Sequence, residues 1–402
     1  MVPNGWTPSQ IGDIAKFTSG GTPSKQCAEF WGGTEPWISG KDLKTHYLTN
    51  SIDTLTEAGY KIAKKAPKGS SLILVRGMTL LKDFPVGYAT RDVAFNQDLK
   101  ALVPEKNVDG LFLSFLLVSE KHKLLQLVST AGHGTGRMDT HSIQEYPVNL
   151  PPLPEQKKIA QILSTWDKAI TTTEQLLANS QRQKKALMQQ LLTGKKRLLD
   201  RNGVRFSGEW KSYLLGDWLR EYSEKSVAND QHEVLTSSRG GLVKQSEYFA
   251  DSRIAQRENL GFNVIPPGCI TYRSRSDDGL FFFNRNDFPF TGIISTYYPV
   301  FNFPEGDTNF FLNLLNRNAA SFSGYSVGTS QKVLSLNALK SVRVRLPERE
   351  EQIKIATVLA TADQEITGLQ QKLGALKKEK KALMQQLLTG KRRVKLDDKE
   401  AA

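Results

Sequence analysis

Cysteine is almost missing from this chain: Cys27 and Cys269, in opposite halves of 402 residues, are the only two. That excludes a disulfide framework and a cysteine-based zinc site, and it suits a reducing compartment. Histidine is nearly as scarce. His46, His122, His133, His141 and His232 form no H-E-x-x-H helix and no cluster with the cysteines, so no metal site is expected. No run of about 18 apolar residues occurs, which excludes a membrane-spanning helix. The opening MVPNGWTPSQIGD lacks the basic-then-apolar pattern of a secretion signal, so a cytoplasmic protein is expected. Catalytic signatures are lacking too. Gly40-Lys41 and Gly194-Lys195 have neither the upstream glycine nor the following hydroxyl of a phosphate loop, and no G-x-S-x-G elbow is present. Asn149-Leu150-Pro151-Pro152-Leu153 is out of register for the Asn/Asp-Pro-Pro-aromatic motif of an amino-methyltransferase. His133 and His141 flank Arg137 in a Gly-rich loop, where contact to a ligand or loop structure fits better than acid–base work. A non-catalytic chain without a cofactor of its own is expected.

What the chain has is positive charge and an internal repeat. The formal net charge is +13, with a pI near 9.5 and 39% hydrophobic residues, the profile of a globular protein with a polyanionic partner. The excess is spread over both halves rather than confined to a tail. Residues 150–195 and 346–391 align without a gap at an offset of 196, and both end in KALMQQLLTGK. That period is far longer than the roughly 20–50 residues of a solenoid unit, so a whole module was duplicated. Weaker echoes extend it. Trp6 and Trp210 are each followed by Gly-Asp (Gly12-Asp13, Gly216-Asp217). Gly134-Thr135-Gly136-Arg137 and Gly328-Thr329-Ser330-Gln331 each lead into a short strand (YPVNL, VRVRL) and a proline.

The repeated segment reads as a long helix. Steps of four and three give the seam Ile159, Leu163, Trp166, Ile170, Thr173, Leu177, Ser180, Lys184, Leu187, Leu191 in the first copy. The second copy gives Ile355, Leu359, Ala362, Ile366, Leu369, Leu373, Leu376, Lys380, Leu383, Leu387. A sustained 3.5-residue period is that of a coiled coil. Prolines precede each helix (Pro151, Pro152 and Pro154; Pro347), and Gly194 and Gly390 follow. At about 38 residues each helix spans roughly 57 Å. Lys184 and Lys380 fall on the seam, either fixing register or snorkelling to water. The basic runs Lys195-Lys196-Arg197 and Lys391-Arg392-Arg393 suit helix C-termini. If the ends of the second variable region lie together, the two helices run antiparallel.

The expected fold is therefore two mixed α/β domains joined by two long helices in an antiparallel coiled coil, with a pseudo-twofold internal repeat. The boundaries are residues 1–149 for the first domain, 150–199 for the first helix, 200–345 for the second domain, 346–396 for the second helix, and 397–402 for a disordered tail. SLILVRG, ALVPE, GCITYRS, GLFFF and STYYPVF read as strands; DGLFLSFLLVSEKHKLLQLV and TNFFLNLLN read as helices. Gly-rich turns bearing hydroxyls and cations can meet phosphates, while Arg, Lys, Asn and Gln can read base edges. The candidates are Thr22, Ser24, Lys25, Lys41, Arg76, Asn96, Gln97 and Arg137 in the first domain. In the second they are Ser238, Arg239, Arg273, Arg275, Ser330, Gln331 and Lys332.

The ordered set SGGTPSKQCAEFWGGTEPWISGKDL, FNQDLKALVP, LPPLPEQKKIAQIL and LPEREEQIKIATVL resembles the specificity (S) subunit of type I restriction–modification systems, across nearly the whole chain. In the second domain TSSRGGLVKQSEYF replaces the SGGTPS…WGG block. The resemblance implies a non-catalytic subunit whose two target-recognition domains each read one half of a split DNA sequence. It implies as partners double-stranded DNA, two methyltransferase (modification) subunits carrying S-adenosylmethionine, and through them the restriction (motor/nuclease) subunits. The helix pair would be spacer and dock. Other classes open to the residues are a coiled-coil interaction protein that reads no DNA and a DNA-modifying enzyme with diverged motifs.

Overall fold

The computed structural model describes residues 2–130, 134–248 and 258–396. His133 and the expected tail 397–402 lie outside the described residues. The chain divides into two compact units, Met1–Glu174 with Gln371–Ala402, and Gln175–Gln370. Each unit holds one variable region and about half of each repeated helix, so the division cuts both helices rather than setting them apart.

In the first unit the strand Thr7–Gln10 pairs antiparallel with Pro147–Leu150, which laces the beginning of the domain to its end. The Gly-Asp pair is explained by the turn that follows. Asp13 accepts from the Gln10 N–H at 2.8 Å at the head of the short helix Ile11–Ile14. A Cβ on Gly12 would stand 3.1 Å from the Gln144 side chain. The second unit repeats this with Lys211–Leu214 on Arg343–Leu346, Asp217 accepting from Leu214 N–H, and Gly216 against Lys340.

Beyond that shared frame the variable regions have no aligned sequence, yet their sheets follow one plan. One sheet of the first unit has the order Thr54–Leu55, Trp31–Ile38, Val93–Phe95, Lys65–Ala66; its counterpart has Gly241–Lys244, Glu233–Ser238, Gly292–Ile294, Asn263–Ile265. In both, the central pair is parallel and the outer pairs antiparallel. The second sheet runs Ala15–Ser19, Leu99–Pro104, Ser71–Leu74, Val86–Ala89, with Tyr47–Leu48 added at the edge. Its counterpart is Arg220–Glu221, Val300–Asn302, Ile270–Tyr272, Phe283–Arg285. A helix completes each core: Gly110–Leu125, whose Asp109 cap accepts from Phe112 N–H, and Thr308–Arg317, whose Asp307 cap accepts from Phe310 N–H. Phe112 and Phe115 in one core, and Phe310, Phe311, Phe283 and Tyr272 in the other, are almost wholly buried. Three expected strands come out shorter, and GCITYRS is a strand only over Ile270–Tyr272. GLFFF contributes only Phe283, and STYYPVF pairs only from Val300 onward, past Pro299, which has no N–H to offer a ladder.

The repeated segments are the helices Leu153–Leu191 and Arg349–Leu387, 39 residues each. Pro154 falls in the first turn, where a missing N–H costs nothing. Gly194 and Gly390 have φ of 70° and 69°, the left-handed conformation that ends a helix without a Cβ penalty. Every seam position of both helices is buried or half-buried. Lys380 bonds Asp167 and Lys377 bonds Glu174 within the first unit. Lys184 bonds Asp363 and Ser180 bonds Glu365 within the second. The seam lysines thus reach the facing helix instead of snorkelling away from it. In each unit one partner's number rises as the other's falls, so the two segments run in opposite directions there.

A buried carboxylate anchors each helix start. Glu155, 3% exposed, accepts from the Trp6 indole at 3.2 Å and from Arg393 through two bonds of 2.7 Å. Glu351, 1% exposed, accepts from Trp210 at 3.2 Å and from Arg197 at 2.6 and 2.7 Å. The next residue is equally occupied. Gln156 donates to Pro151 O and accepts from Asp109 N–H; Gln352 donates to Pro347 O and accepts from Asp307 N–H. The arginines of the basic runs therefore do more than favour a dipole: each bonds the start of the other helix to the end of its own.

Two predictions follow from these buried groups. Glu351→Ala leaves Arg197 and Trp210 without their acceptor and should cost about 3–5 kcal/mol in urea unfolding of the full chain, whereas Glu348→Ala should cost little. His46 stacks on Phe115 at 5.1 Å and 14°, beside Ser114, Asp167 and Lys380. Burial holds its pKa down at about 4, against an ordinary 6.5, with Asp167 opposing and Lys380 adding to the effect. The folded protein keeps this imidazole neutral where the unfolded chain binds a proton. Its contribution is then fully present above about pH 6.5 and lost as pH falls towards 4. Unfolding midpoints should drop between pH 6.5 and 5, and His46→Leu should flatten that slope.

Candidate nucleic-acid interface

In the first unit, backbone hydrogen bonds tie the loops at one end of the sheets together. The Gly21 N–H bonds Phe95 O, the Asn96 N–H bonds Ile38 O, and the Val75 N–H bonds Asp98 O, at 2.8–2.9 Å. Val75 leads into the two-residue strand Arg76–Gly77, which pairs with Gly136–Met138 so that Arg76 lies opposite Arg137. The glycine motif is steric in origin. A Cβ on Gly20 would stand 2.1 Å from Asn96 O, so only glycine lets the SGGTPS loop pass. The tryptophans of WGGTEPW hold that loop in place: Trp37 donates to Gly21 O and Trp31 to Ser24 O, both at 3.1 Å.

This arrangement collects the candidates. Thr22 donates to the Gln97 carbonyl; Gln97 neighbours Asp98, which bonds Val75 next to Arg76, which faces Arg137. Lys41 follows Gly40, and both Gly40 and Gly77 lie against the Leu74 side chain. Thr22, Ser24, Lys25, Lys41, Arg76, Gln97 and Arg137 are all exposed. Asn96 is different: it is 8% exposed, and its amide closes a local turn by accepting from Asp98 N–H.

In the second unit Ser238, Arg239, Arg273 and Arg275 line one cavity of about 470 Å³, together with Asp277, Asp278 and Phe282. Gln331 donates to Asp277 at 3.0 Å, and Lys332 lies opposite Ser276 in the pair Arg275–Ser276 with Lys332–Val333. Ser330 is exposed beside them. Arg239 is held by the Asp278 carboxylate and lies over the Phe282 ring. Hydrogen bonds from Leu280 N–H and Ser276, with Arg239 adding to them, keep Asp278 below the usual carboxylate range. The Arg275 guanidinium stacks on Tyr297 at 4.2 Å. No carboxylate among the described residues lies within ion-pair distance of Arg76, Arg137, Arg273 or Arg275. Four exposed cations with no ion pair among the described residues, on loops beside hydroxyls and amides, suit phosphates and base edges.

Sequence reading missed the groups that hold these side chains. Asp277 and Asp278 are anions, and a DNA-facing loop gives no sequence signal for a carboxylate that supports an arginine. Phe282 and Tyr297 fall in the expected strands GLFFF and STYYPVF, and nothing in their spacing marks the arginines they support. Glu155 and Glu351 were visible as the PEQ and EEQ of the repeat, but a charge in a helix's first turn ordinarily signals only the dipole.

Two mixed α/β units with long helices, each with exposed cations on its loops, are the class of structure that comparison with known proteins then places. The Type I restriction modification DNA specificity domain matches residues 3–179 and 252–378. The chain belongs to this family, and its role is recognition of a DNA target as one subunit of a type I restriction–modification complex, not catalysis. It is 31% identical over 160 residues to the EcoR124I/EcoR124II specificity subunit of Escherichia coli, a match covering 39% of this chain and 40% of that subunit. It is 25% identical over 426 residues to the MjaVIII specificity subunit of Methanocaldococcus jannaschii, covering 98% and 94%. Among solved structures, the S subunit of a type I system from M. genitalium shares the fold at TM-score 0.60 and 15% identity, over 96% of this chain and 99% of that one. No helix is long and apolar enough to cross a membrane among the described residues.

Gln331 offers a direct check. Gln331→Ala should lower specific affinity by about 1–3 kcal/mol and relax the recognised sequence at a single position, read by methylome sequencing.

Proposed function

We propose that each unit reads one half of a bipartite, asymmetric DNA target, and that the two repeated helices pair antiparallel as a coiled coil that sets the gap between the halves. The observation that carries this is the contrast within the chain. Two regions without aligned sequence share one sheet plan and carry one exposed arginine, Arg76 or Arg275, at the same place in it, while the segments joining them align without a gap. The cross-helix bonds repeat too: Asp167 and Lys184 are the counterparts, at the 196-residue offset, of Asp363 and Lys380, and they form Lys380–Asp167 in one unit and Lys184–Asp363 in the other. A repeated polar pair on an apolar seam fixes register, which a spacer requires. The repeated helix surface would dock two modification (methyltransferase) subunits, which would hold S-adenosylmethionine, and through them the restriction subunits. The complex would act on double-stranded DNA in the cytoplasm.

Exchanging residues 14–133 for those of a relative, with the cognate modification subunit co-expressed, should change one half of the methylated sequence and leave the other unaltered. A change in both halves, or in neither, contradicts one reader per half. Inserting four residues in one repeated helix adds roughly 6 Å to that arm. The gap should lengthen or methylation should stop; an unchanged target contradicts the spacer.

A further inference from the structure

The sheet plan allows positions in the two variable regions to be equated where sequence cannot. In the first unit Val75 donates to Asp98 O, and Val75 O accepts from Met138 N–H. In the second, Ser274 donates to Tyr297 O, and Ser274 O accepts from Leu334 N–H. The residue after each is an arginine on a two-residue strand, Arg76 and Arg275, paired with the strand that leads to the closing helix of its domain. Both are exposed. Around them almost everything differs. The strand opposite presents Arg137 in one unit and Val333 in the other, the next residue is Gly77 or Ser276, and the neighbouring loop supplies Asp98 or Tyr297.

We propose that Arg76 and Arg275 are equivalent phosphate anchors, and that they fix the position of each unit on the duplex without reading sequence. This rests on the proposed two-half reading. What two readers of different sequences have in common is the sugar–phosphate backbone, and what they must not share is the base-reading surface. The one cation kept at the same position amid replaced neighbours therefore serves the common element. Stacking on Tyr297 holds the Arg275 guanidinium plane while leaving its N–H edge free for an anion. Base choice then falls to the residues that differ: Gln97 and Arg137 in one unit, Arg239 and Gln331 in the other.

The test uses the full chain with its cognate modification subunit, a duplex bearing the sequence that methylome sequencing assigns to the unaltered protein, and a scrambled duplex of equal length. Arg76→Gln and Arg275→Gln should weaken both duplexes alike, make the slope of log affinity against log salt shallower by about 1 each, and leave the methylated sequence unchanged. Arg76→Lys and Arg275→Lys should restore the slope, because a point charge serves a phosphate but does not replace a bidentate fork on guanine. A degenerate position in the methylome, or loss on the specific duplex alone that lysine fails to restore, would make these residues base readers and overturn the proposal. An unaltered slope in the Gln variants would overturn it as well. If the unaltered protein itself shows no split preference, it is the two-half reading that fails.

Discussion

A carboxylate buried at the start of each long helix is the constraint on which the rest depends. Glu155 and Glu351 are almost inaccessible, and a charge in that position is tolerated only when it is paired and fully hydrogen-bonded. Each satisfies this with a tryptophan from the head of its variable region and a two-point arginine from just past the end of the other helix. One small group thus joins three parts of a unit: the strand that opens the domain, the helix that leaves it, and the helix that returns. The neighbouring glutamine extends the tie to the cap of the core helix through Asp109 or Asp307. The frame is specified by a handful of polar residues, and the apolar filling is free to differ. The second core is heavily aromatic around Tyr272, Phe283, Phe301 and Phe311, and what it shares with the first is the apolar face of the frame: Trp6 and Trp210, Ile159 and Ile355, Ala160 and Ala356, Leu163 and Leu359.

That division would let one fold carry the two proposed recognition surfaces. The sheet order is common to both units, but the loops beyond the strand ends are built by different means. The first uses tryptophans 31 and 37 and a sterically required glycine to hold the SGGTPS turn. The second uses carboxylates and aromatic rings to hold arginines around a cavity. Side chains fixed in this way would lose little further freedom on contact with a ligand, which would favour the proposed discrimination between sequences. Because the supports lie within each unit, one surface can change without disturbing the other.

Much of the frame was legible in the sequence because it follows periodic rules. The heptad spacing from Ile159 and Ile355 marked the helices, and the prolines and Gly194 and Gly390 marked their ends to within a few residues. The core helices at 110 and 308 were plain from their apolar runs. The kinship of the two variable regions was not legible, since it resides in strand order and in backbone bonds such as Val75 to Asp98 and Ser274 to Tyr297, which impose no residue type. The candidate cations were found by chemistry alone, and the fold drew those of each unit together. Asn96 carries the donor and acceptor pattern of a base reader, and at its buried turn its side-chain oxygen accepts from Asp98 N–H. Short strands such as Arg76–Gly77 carry too little sequence to be seen before folding.

Two readers, held by one repeated frame, are proposed to recognise two separate half-sites. Methylome sequencing of a host carrying this chain and its cognate modification subunit, against the same host without the chain, tests this most directly. A single asymmetric motif of two short specified blocks, separated by a fixed run of unspecified bases, is the predicted result. One uninterrupted motif, or methylation that does not depend on the chain, would contradict it.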